Sequence, residues 1–336
     1  MSFKSLVGNE RNKEILKRLL DQKRLGSTFV FSGPEGVGKR QFALTLAKSA
    51  NCAHANSGSF DSCDECPSCQ RTDRGTHSDV VTVRPDGNFI KVDQARELAR
   101  ELFFRPREGG QRFFIIDEAD RLREEAASAL LKTLEEPPLT STIMLITSRP
   151  SSLLPTVLSR AQRIPFSALP YDEMETYLSQ NFHRPRDESA LLARVTEGRI
   201  GQATAIDLSV YRKERRELLE LIELLAGNDD SNAGAQPRRV RLMKAAEHFG
   251  KLDRQSFEKM LSLLIRLLRD LLILAAKGPE SEITNIDERE TLARLAQSAT
   301  LEKVIYWSDK LSELRENMIV NVNLRIALDD IFQSAE

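Results

Sequence analysis

Hydrophobic and polar positions in the first half of the chain follow two periods, one typical of strands and one typical of helices. Short apolar runs predict strands at 27–31, 79–83, 112–116 and 142–147. Apolar residues at helical spacing predict helices at 9–20, 39–50, 92–104 and 124–134. Strands and helices that alternate at this spacing predict an α/β domain with a parallel sheet and helices on both faces.

The pattern changes after Phe166, where only helical segments are predicted. Short helices are expected at 171–179, 188–196 and 201–207. Longer ones are expected at 214–225, 237–249, 256–277 and 301–332, with a polar loop at 227–236. Their apolar faces need partners within the chain or between subunits. We therefore predict three domains, at 1–167 (α/β), 168–208 (small, helical) and 209–336 (all-α).

Composition and charge narrow the class of protein. The 336 residues are 40% hydrophobic and 29% charged, which is typical of a globular protein with sizeable cores. The formal net charge of -1 argues against a wholly basic, nucleic-acid-binding surface, although it allows a local basic patch. The first residues lack the apolar stretch of a secretory signal, and Arg266, Arg269 and Asp270 interrupt the longest apolar run. We expect a soluble, cytoplasmic protein with no membrane partner.

The four cysteines of the chain are concentrated in one stretch, at Cys52, Cys63, Cys66 and Cys69. Thiolates at this spacing can converge on one ion, and four of them complete the tetrahedral shell of structural zinc. We predict a structural Zn²⁺ in a module at about 52–69. Two disulfides are disfavoured without a secretory signal, and four unrelated buried thiols would not cluster in this way. His54 and His77 lie nearby and could substitute as ligands.

Residues 33–40 read GPEGVGKR, between a predicted strand and a predicted helix. In a phosphate-binding loop, glycines such as Gly33, Gly36 and Gly38 let backbone N–H groups surround an anion, and Lys39 reaches the β- and γ-phosphates. The next position normally carries a hydroxyl that binds magnesium. Arg40 stands there instead, and it cannot coordinate a cation. The sequence predicts defective Mg-ATP hydrolysis, and it is consistent both with ATP or ADP bound without turnover and with no bound nucleotide.

Residues 112–120 read RFFIIDEAD and have the form of the second motif of a nucleotide site. A buried strand would deliver Asp117 to the metal region and Glu118 to the place where water is activated. Asp120 is interpreted as an N-cap of the following helix.

Three further segments carry a family resemblance: 127–138 (ASALLKTLEEPP), 142–148 (TIMLITS) and 154–160 (LPTVLSR). Together with the phosphate loop and the cysteine module, they strongly resemble the bacterial DNA polymerase III clamp loader over about residues 3–205. The resemblance implies an AAA+ nucleotide-binding module with a zinc-binding insertion, a small helical lid and a C-terminal helical collar. In this family the collar joins five subunits in a ring.

The resemblance also assigns roles to individual residues. Thr147 and Ser148 match the polar strand end that senses a γ-phosphate. In this family a Ser-Arg-Cys motif supplies an arginine finger to ATP bound on the neighbouring subunit. Here the triplet reads Ser159-Arg160-Ala161, so that the finger itself, Arg160, is retained.

Three departures favour the delta-prime subunits of the family over the ATP-hydrolysing gamma/tau subunits. Arg40 replaces the magnesium hydroxyl, Gly201 replaces a lid arginine (with Arg199 nearby), and the chain stops at 336 without the long extension of tau. The implied partners are the clamp-loader delta and gamma/tau subunits in a heteropentamer, and through it the sliding clamp and primer-template DNA.

The sequence allows two alternative functions. One is a gamma/tau-like ATPase in which another group holds magnesium. The other is a small-molecule phosphotransferase, which would explain neither the cysteine module nor Arg160.

Overall fold

The computed structural model of the chain describes residues 2–22, 25–54, 61–108, 110–227, 237–318 and 323–333. The chain divides into two compact units. The first comprises Met1–His183 with Thr196–Thr204, and the second comprises Arg184–Val195 with Ala205–Glu336. The predicted domain boundaries at 167/168 and 208/209 stay predictions.

The described residues form five strands and fifteen α-helices. The strands are β1 (Thr28–Ser32), β2 (Val80–Val83), β3 (Arg112–Ile116), β4 (Ser141–Thr147) and β5 (Gln162–Pro165). The helices up to the second unit are α1 (Glu10–Asp21), α2 (Lys39–Ala50), α3 (Pro67–Asp73), α4 (Val92–Glu101), α5 (Glu124–Glu135), α6 (Pro155–Leu158) and α7 (Tyr171–Phe182). The others are α8 (Arg186–Val195), α9 (Ile200–Ala203), α10 (Leu208–Ala226), α11 (Arg238–Gly250), α12 (Arg254–Ala275), α13 (Arg289–Ser298), α14 (Leu301–Asn317) and α15 (Leu324–Gln333).

The first unit is built on a five-stranded sheet in the order β2-β3-β4-β1-β5. All its pairings are parallel; Phe29 of β1, for example, stands opposite Met144 of β4 and Gln162 of β5. β1, β3 and β4 are buried along their whole length, as expected of strands covered on both faces.

Helices cover both faces of this sheet, which confirms the predicted architecture. Alternate residues of β1 point to opposite sides. Phe29 and Phe31 pack in one core with residues of α1 and α2, such as Leu16 and Phe42. Val30 packs in the other core with residues of α4 and α5.

The second unit is helical, with the longest helix, α12, packed against α13 and α14. The prediction of one helix over 301–332 is wrong, because α14 ends at Asn317 and α15 begins at Leu324. Asn317 ends α14 and Asn323 precedes α15, and asparagine is a weak helix former. The predicted loop at 227–236 lies, apart from Gly227, outside the described residues. No helix in the described ranges combines the length and apolar character needed to cross a membrane.

Candidate functional site

The carboxyl ends of β1, β3 and β4 meet at one edge of the sheet, where ligands of open parallel sheets bind. A cavity of about 980 Å³ lies there. The predicted nucleotide-site residues that line it are Gly36, Gly38, Lys39, Arg40, Asp117, Glu118, Thr147 and Ser148. Gly33 begins the loop without lining the cavity. Residues from distant parts of the sequence thus line one cavity, together with a wall at Ser5, Leu6 and Val7 that the sequence pattern did not indicate.

The loop between β1 and α2 has the backbone of a phosphate cradle. Gly36 and Gly38 adopt φ values of 83° and 93°, in the region that favours glycine. Lys39 opens α2 and is buried, with its ammonium donating to the carbonyls of Gly33 and Pro34 at 2.6 Å each. Burial lowers the pKa of Lys39, although Glu35, Asp117 and Asp120 oppose the shift.

The carboxylate predicted to hold magnesium is paired with two arginines. Arg40 Nε lies 3.5 Å from Asp117 Oδ2, and Arg84 Nε lies 3.8 Å from the same oxygen. Arg40 therefore does more than lack a hydroxyl, because its guanidinium is ion-paired with the carboxylate that the sequence predicts as a metal ligand. Arg84 follows β2, and its role depends on the β2–β3 pairing, which no sequence motif marks.

Glu118 is also engaged by an arginine. It adopts a left-handed conformation (φ 51°), and its Oε2 lies 2.9 Å from Arg121 Nε. Glu118, the carboxylate predicted to activate water, therefore forms an ion pair with Arg121, three residues further along the chain.

Asp120 does not cap α5, whose N-cap residue is Arg123, so that interpretation is wrong. It accepts hydrogen bonds from Thr147 Oγ1 at 3.0 Å and from Arg149 Nη2 at 2.8 Å. Burial of Asp120 acts to raise its pKa, but the hydrogen bonds from Arg149 and Thr147 outweigh it and hold the pKa below its usual value. Thr147 is thereby fixed at the end of β4, whereas Ser148 is exposed at the cavity.

Helix α9 is hydrogen-bonded to the glycine-rich loop through the backbone of Gly201. Gly201 N–H donates to the carbonyl of Gly36 at 2.8 Å, and a Cβ on Gly201 would lie 3.1 Å from that oxygen. Arg199 donates to the carbonyl of Thr196 at 2.9 Å and is ion-paired with Glu197. Arg199 is not among the residues that line the cavity.

Ser159 and Arg160 follow α6 and are absent from the lining of the chain's own cavity. Arg160 Nη1 donates to the carbonyl of Thr156 at 2.9 Å, and Arg160 Nε lies 3.3 Å from Glu135 Oε2. The side chain of Arg160 is 31% exposed, so it is both anchored and accessible.

The four cysteine sulfurs lie within 4.8 Å of one another, and all four thiols are free. A tetrahedral thiolate site with metal–sulfur bonds of about 2.3 Å spaces its sulfurs about 3.8 Å apart. Cys63 Sγ and Cys69 Sγ are 3.9 Å apart, which fits. The N–H of Cys66 donates to Cys63 Sγ at 3.3 Å and is the main cause that lowers the pKa of Cys63 to about 7. The set can hold one metal ion.

His77 does not substitute for a cysteine in this cluster. Its Nδ1 accepts from the N–H of Asp79 at 3.1 Å, and its Nε2 lies 3.0 Å from Ser68 Oγ. His54 likewise lies outside the set of four sulfurs. Both ring nitrogens of His77 serve the attachment of α3 to β2.

The cysteine module contacts two other segments of the first unit, namely the first residues of the chain and helix α2. Asp61 accepts from the N–H groups of Phe3 at 2.7 Å and Lys4 at 3.1 Å. On α2, the fully buried Lys48 is ion-paired with Asp64 and Asp73. Burial acts to lower the pKa of Lys48, but the two carboxylates prevail and raise it.

The known proteins that this chain is similar to include several subunits of DNA polymerase III. The family model described as DNA polymerase III, delta subunit, matches residues 8–170. The chain is 30% identical over 324 residues to DNA polymerase III subunit delta' of Bacillus subtilis, covering 94% of each chain. It is 33% identical over 240 residues to subunit gamma/tau of Mycobacterium bovis, covering 69% of this chain but only 38% of that relative. A solved gamma subunit-related protein from Thermotoga maritima aligns over 96% of this chain and 97% of its own, with 19% identity and a TM-score of 0.44.

Proposed function

The chain belongs to the DNA polymerase III delta-prime family of clamp-loader subunits, and from that premise we propose that it is a subunit that does not hydrolyse ATP itself. Its role is to complete the active site of a neighbouring ATPase subunit. In this way it helps to load the sliding clamp onto primed DNA during replication. The partners proposed are the delta subunit on one side and a gamma/tau subunit on the other, in a heteropentamer.

The ion pair between Arg40 and Asp117 carries this proposal. Phosphoryl transfer in phosphate-loop enzymes needs a magnesium ion that is held by a loop hydroxyl and an acidic residue. Here the hydroxyl is replaced by a guanidinium, and that guanidinium lies 3.5 Å from the acidic residue. A cation bound in the same place would face both charge repulsion and competition for Asp117. Nucleotide could still bind through the loop amides and Lys39, without turnover.

Arg160 supports the second half of the proposal. An arginine finger supplied across an interface stabilises the charge that develops on the γ-phosphate, and it can raise hydrolysis by about 10³–10⁵-fold. Arg160 is partly exposed, does not line the chain's own cavity and sits on a short, anchored segment. Ser159 packs beside it and donates to the carbonyl of Thr156 at 3.1 Å.

The cysteine cluster is proposed to hold one structural Zn²⁺ through Cys52, Cys63, Cys66 and Cys69. Four thiolate ligands leave no open coordination position, so the metal would stabilise the fold of the module and take no part in hydrolysis. Elemental analysis of the purified chain should find about one zinc per chain; a folded chain without metal would contradict this part.

The experiment for the proposed function is reconstitution with the delta and gamma/tau subunits, followed by DNA-stimulated ATP turnover. Arg160→Ala should reduce turnover at the site that Arg160 faces, and the total rate should fall by the share of that site. Arg18→Ala removes an equally charged, 74% exposed side chain on α1 and serves as the matched control. Equal rates for the wild type and Arg160→Ala in fully assembled complexes would overturn the proposal.

A gamma/tau-like ATPase is the competing function, because Lys39 and Glu118 are retained at the cavity. It requires magnesium-dependent hydrolysis by the isolated chain that is lost in Lys39→Ala. The non-hydrolysing role is favoured if the isolated chain shows no such hydrolysis and Arg160→Ala lowers ATP turnover in the reconstituted complex.

A further inference from the structure

Arg160 is held by a residue that the sequence did not mark as functional. Glu135 is the last residue of α5, and 54% of its side chain is exposed. Its carboxylate meets the guanidinium of Arg160 with both oxygens, Oε2 at 3.3 Å from Nε and Oε1 at 3.4 Å from Nη2. The ion pair therefore takes the lateral edge of the guanidinium, with the two-pronged geometry that suits carboxylates.

A second contact fixes the other side of the same group. Arg160 Nη1 donates to the carbonyl of Thr156 at 2.9 Å, and Ser159 Oγ lies 3.4 Å from the same nitrogen. Contacts from α5 and from α6 thus define both the plane and the direction of the guanidinium. A guanidinium has five N–H donors in a rigid, planar arrangement. Glu135 contacts Nε and one side of Nη2, which together form the lateral edge. The second N–H of Nη2, at the tip of the group, therefore points away from Glu135.

We propose that Glu135 is a positioning residue for Arg160. It orients the guanidinium so that its tip meets the γ-phosphate on the neighbouring subunit. The inference rests on the proposed function, because Arg160 must act in trans for its orientation to matter. In this proposal Glu135 acts through Arg160 and makes no contact of its own with the nucleotide.

The magnitude of the effect separates positioning from structural support. An exposed ion pair contributes little to the stability of a fold, so loss of Glu135 should leave the first unit intact. In contrast, displacing a catalytic group by about 1 Å can reduce a rate by about 100-fold. A large loss of rate with an unchanged melting temperature is therefore the expected signature.

The chain offers a matched control in the next residue. Glu136 carries the same charge and is exposed at the C-cap of α5. None of the ion pairs found among the described residues joins it to Arg160. Glu136→Gln therefore removes the same charge from the same surface without touching the guanidinium.

The test uses complexes reconstituted with the delta and gamma/tau subunits, with assembly verified by gel filtration. Glu135→Gln should lower kcat for DNA-stimulated ATP turnover at the affected site by about 10-fold or more, with KM for ATP unchanged. Glu135→Asp should recover part of the loss, and Glu136→Gln should match the wild type. In an Arg160→Ala background, Glu135→Gln should cause no further loss, because there is no guanidinium left to orient.

The outcomes distinguish this inference from the proposed function. If Arg160→Ala lowers turnover but Glu135→Gln equals Glu136→Gln, the positioning role of Glu135 is overturned and the proposed function stands. A faster rate in Glu135→Gln, or a loss that persists without Arg160, overturns it as well. If Arg160→Ala has no effect, the proposed function fails first.

Discussion

Arg40 and Arg84 converge on a single oxygen of Asp117, and the proposed loss of magnesium binding depends on that convergence. Arg40 is 44% exposed, so its ion pair is partly screened and contributes little to stability by itself. Its consequence is local. A divalent cation near Asp117 would lack the hydroxyl ligand that position 40 normally supplies and would meet two guanidinium groups.

The first prediction concerns Arg40. In the wild type, affinity for a fluorescent ADP analogue should be nearly independent of magnesium. Arg40→Ser should create magnesium-dependent binding, with affinity rising by about 10-fold in its presence, equivalent to about 1.4 kcal/mol. The measurement is fluorescence titration with and without Mg²⁺, with Arg18→Ser as the control. Equal magnesium dependence in the wild type and Arg40→Ser would show that Arg40 does not block the metal.

The second prediction concerns Asp120, whose pKa is held below its usual value by Arg149 and Thr147 despite burial. A carboxylate with a lower pKa in the folded state stabilises the fold above its unfolded pKa, near 4, and loses this contribution as pH falls through its folded pKa. Asp120→Asn should therefore lower the free energy of unfolding by about 1–3 kcal/mol at pH 7. The difference from the wild type should shrink toward pH 3.

Denaturant unfolding at several pH values measures this difference. Asp93→Asn, at a side chain that is 89% exposed, is the control and should change the free energy of unfolding little at any pH. A deficit in Asp120→Asn that stays constant from pH 7 to pH 3 would contradict the linkage.

At the scale of elements, the sequence predicts those strands and helices whose apolar residues form a clear, uninterrupted pattern. The four predicted strands are all present because each is a continuous apolar run. The sequence pattern does not indicate β5, because its only buried residue is Ile164, which lies between exposed Arg163 and Pro165. Helix α3 was missed because it lies within the cysteine module, and α4 ends at Glu101, three residues earlier than predicted.

In the candidate site, too, the sequence indicates residues that lie in contiguous motifs but not the partners that packing brings to them. The sequence singles out Lys39, Arg40, Asp117 and Glu118 because each lies in a contiguous motif. It does not single out their partners, since the pairing of Asp117 with Arg84 depends on the register of β2 against β3. The contact between Glu135 and Arg160 likewise depends on how α5 packs against α6.

The third prediction concerns the cysteine module as an element. Asp61 binds the N–H groups of Phe3 and Lys4, and the residues that follow them form one wall of the cavity. Chelation of the proposed zinc ion, or Asp61→Asn with that ion retained, should speed amide hydrogen exchange in residues 3–7. Hydrogen exchange with mass spectrometry measures this, and elemental analysis verifies the metal content. Unchanged exchange after complete metal removal would separate the module from the cavity wall.

At the scale of the whole molecule, the helical second unit retains exposed apolar side chains. Leu301 and Ile305 on α14 are each 43% exposed and lie one turn apart on the same helix face. Val240 and Met243 on α11 are 38% and 44% exposed. Single exposed apolar residues are ordinary, but pairs at helical spacing suit a unit expected to join subunits in a ring.

The fourth prediction follows from that face. Ile305→Asp should weaken assembly with the delta and gamma/tau subunits by about 10-fold or more, because it places a charge at an apolar contact. The melting temperature of the isolated chain should change little, since Ile305 is exposed. Analytical ultracentrifugation measures assembly, and Glu302→Gln on the same helix is the control. Undiminished assembly of Ile305→Asp would exclude this face of α14 from the interface.

The most direct measurement is ATP turnover by the isolated chain at saturating ATP and millimolar magnesium, compared with the same chain inside the reconstituted loader. We expect no turnover above background from the chain alone, together with DNA-stimulated turnover in the loader that depends on Arg160. Steady magnesium-dependent hydrolysis by the isolated chain, abolished by Lys39→Ala, would contradict the account.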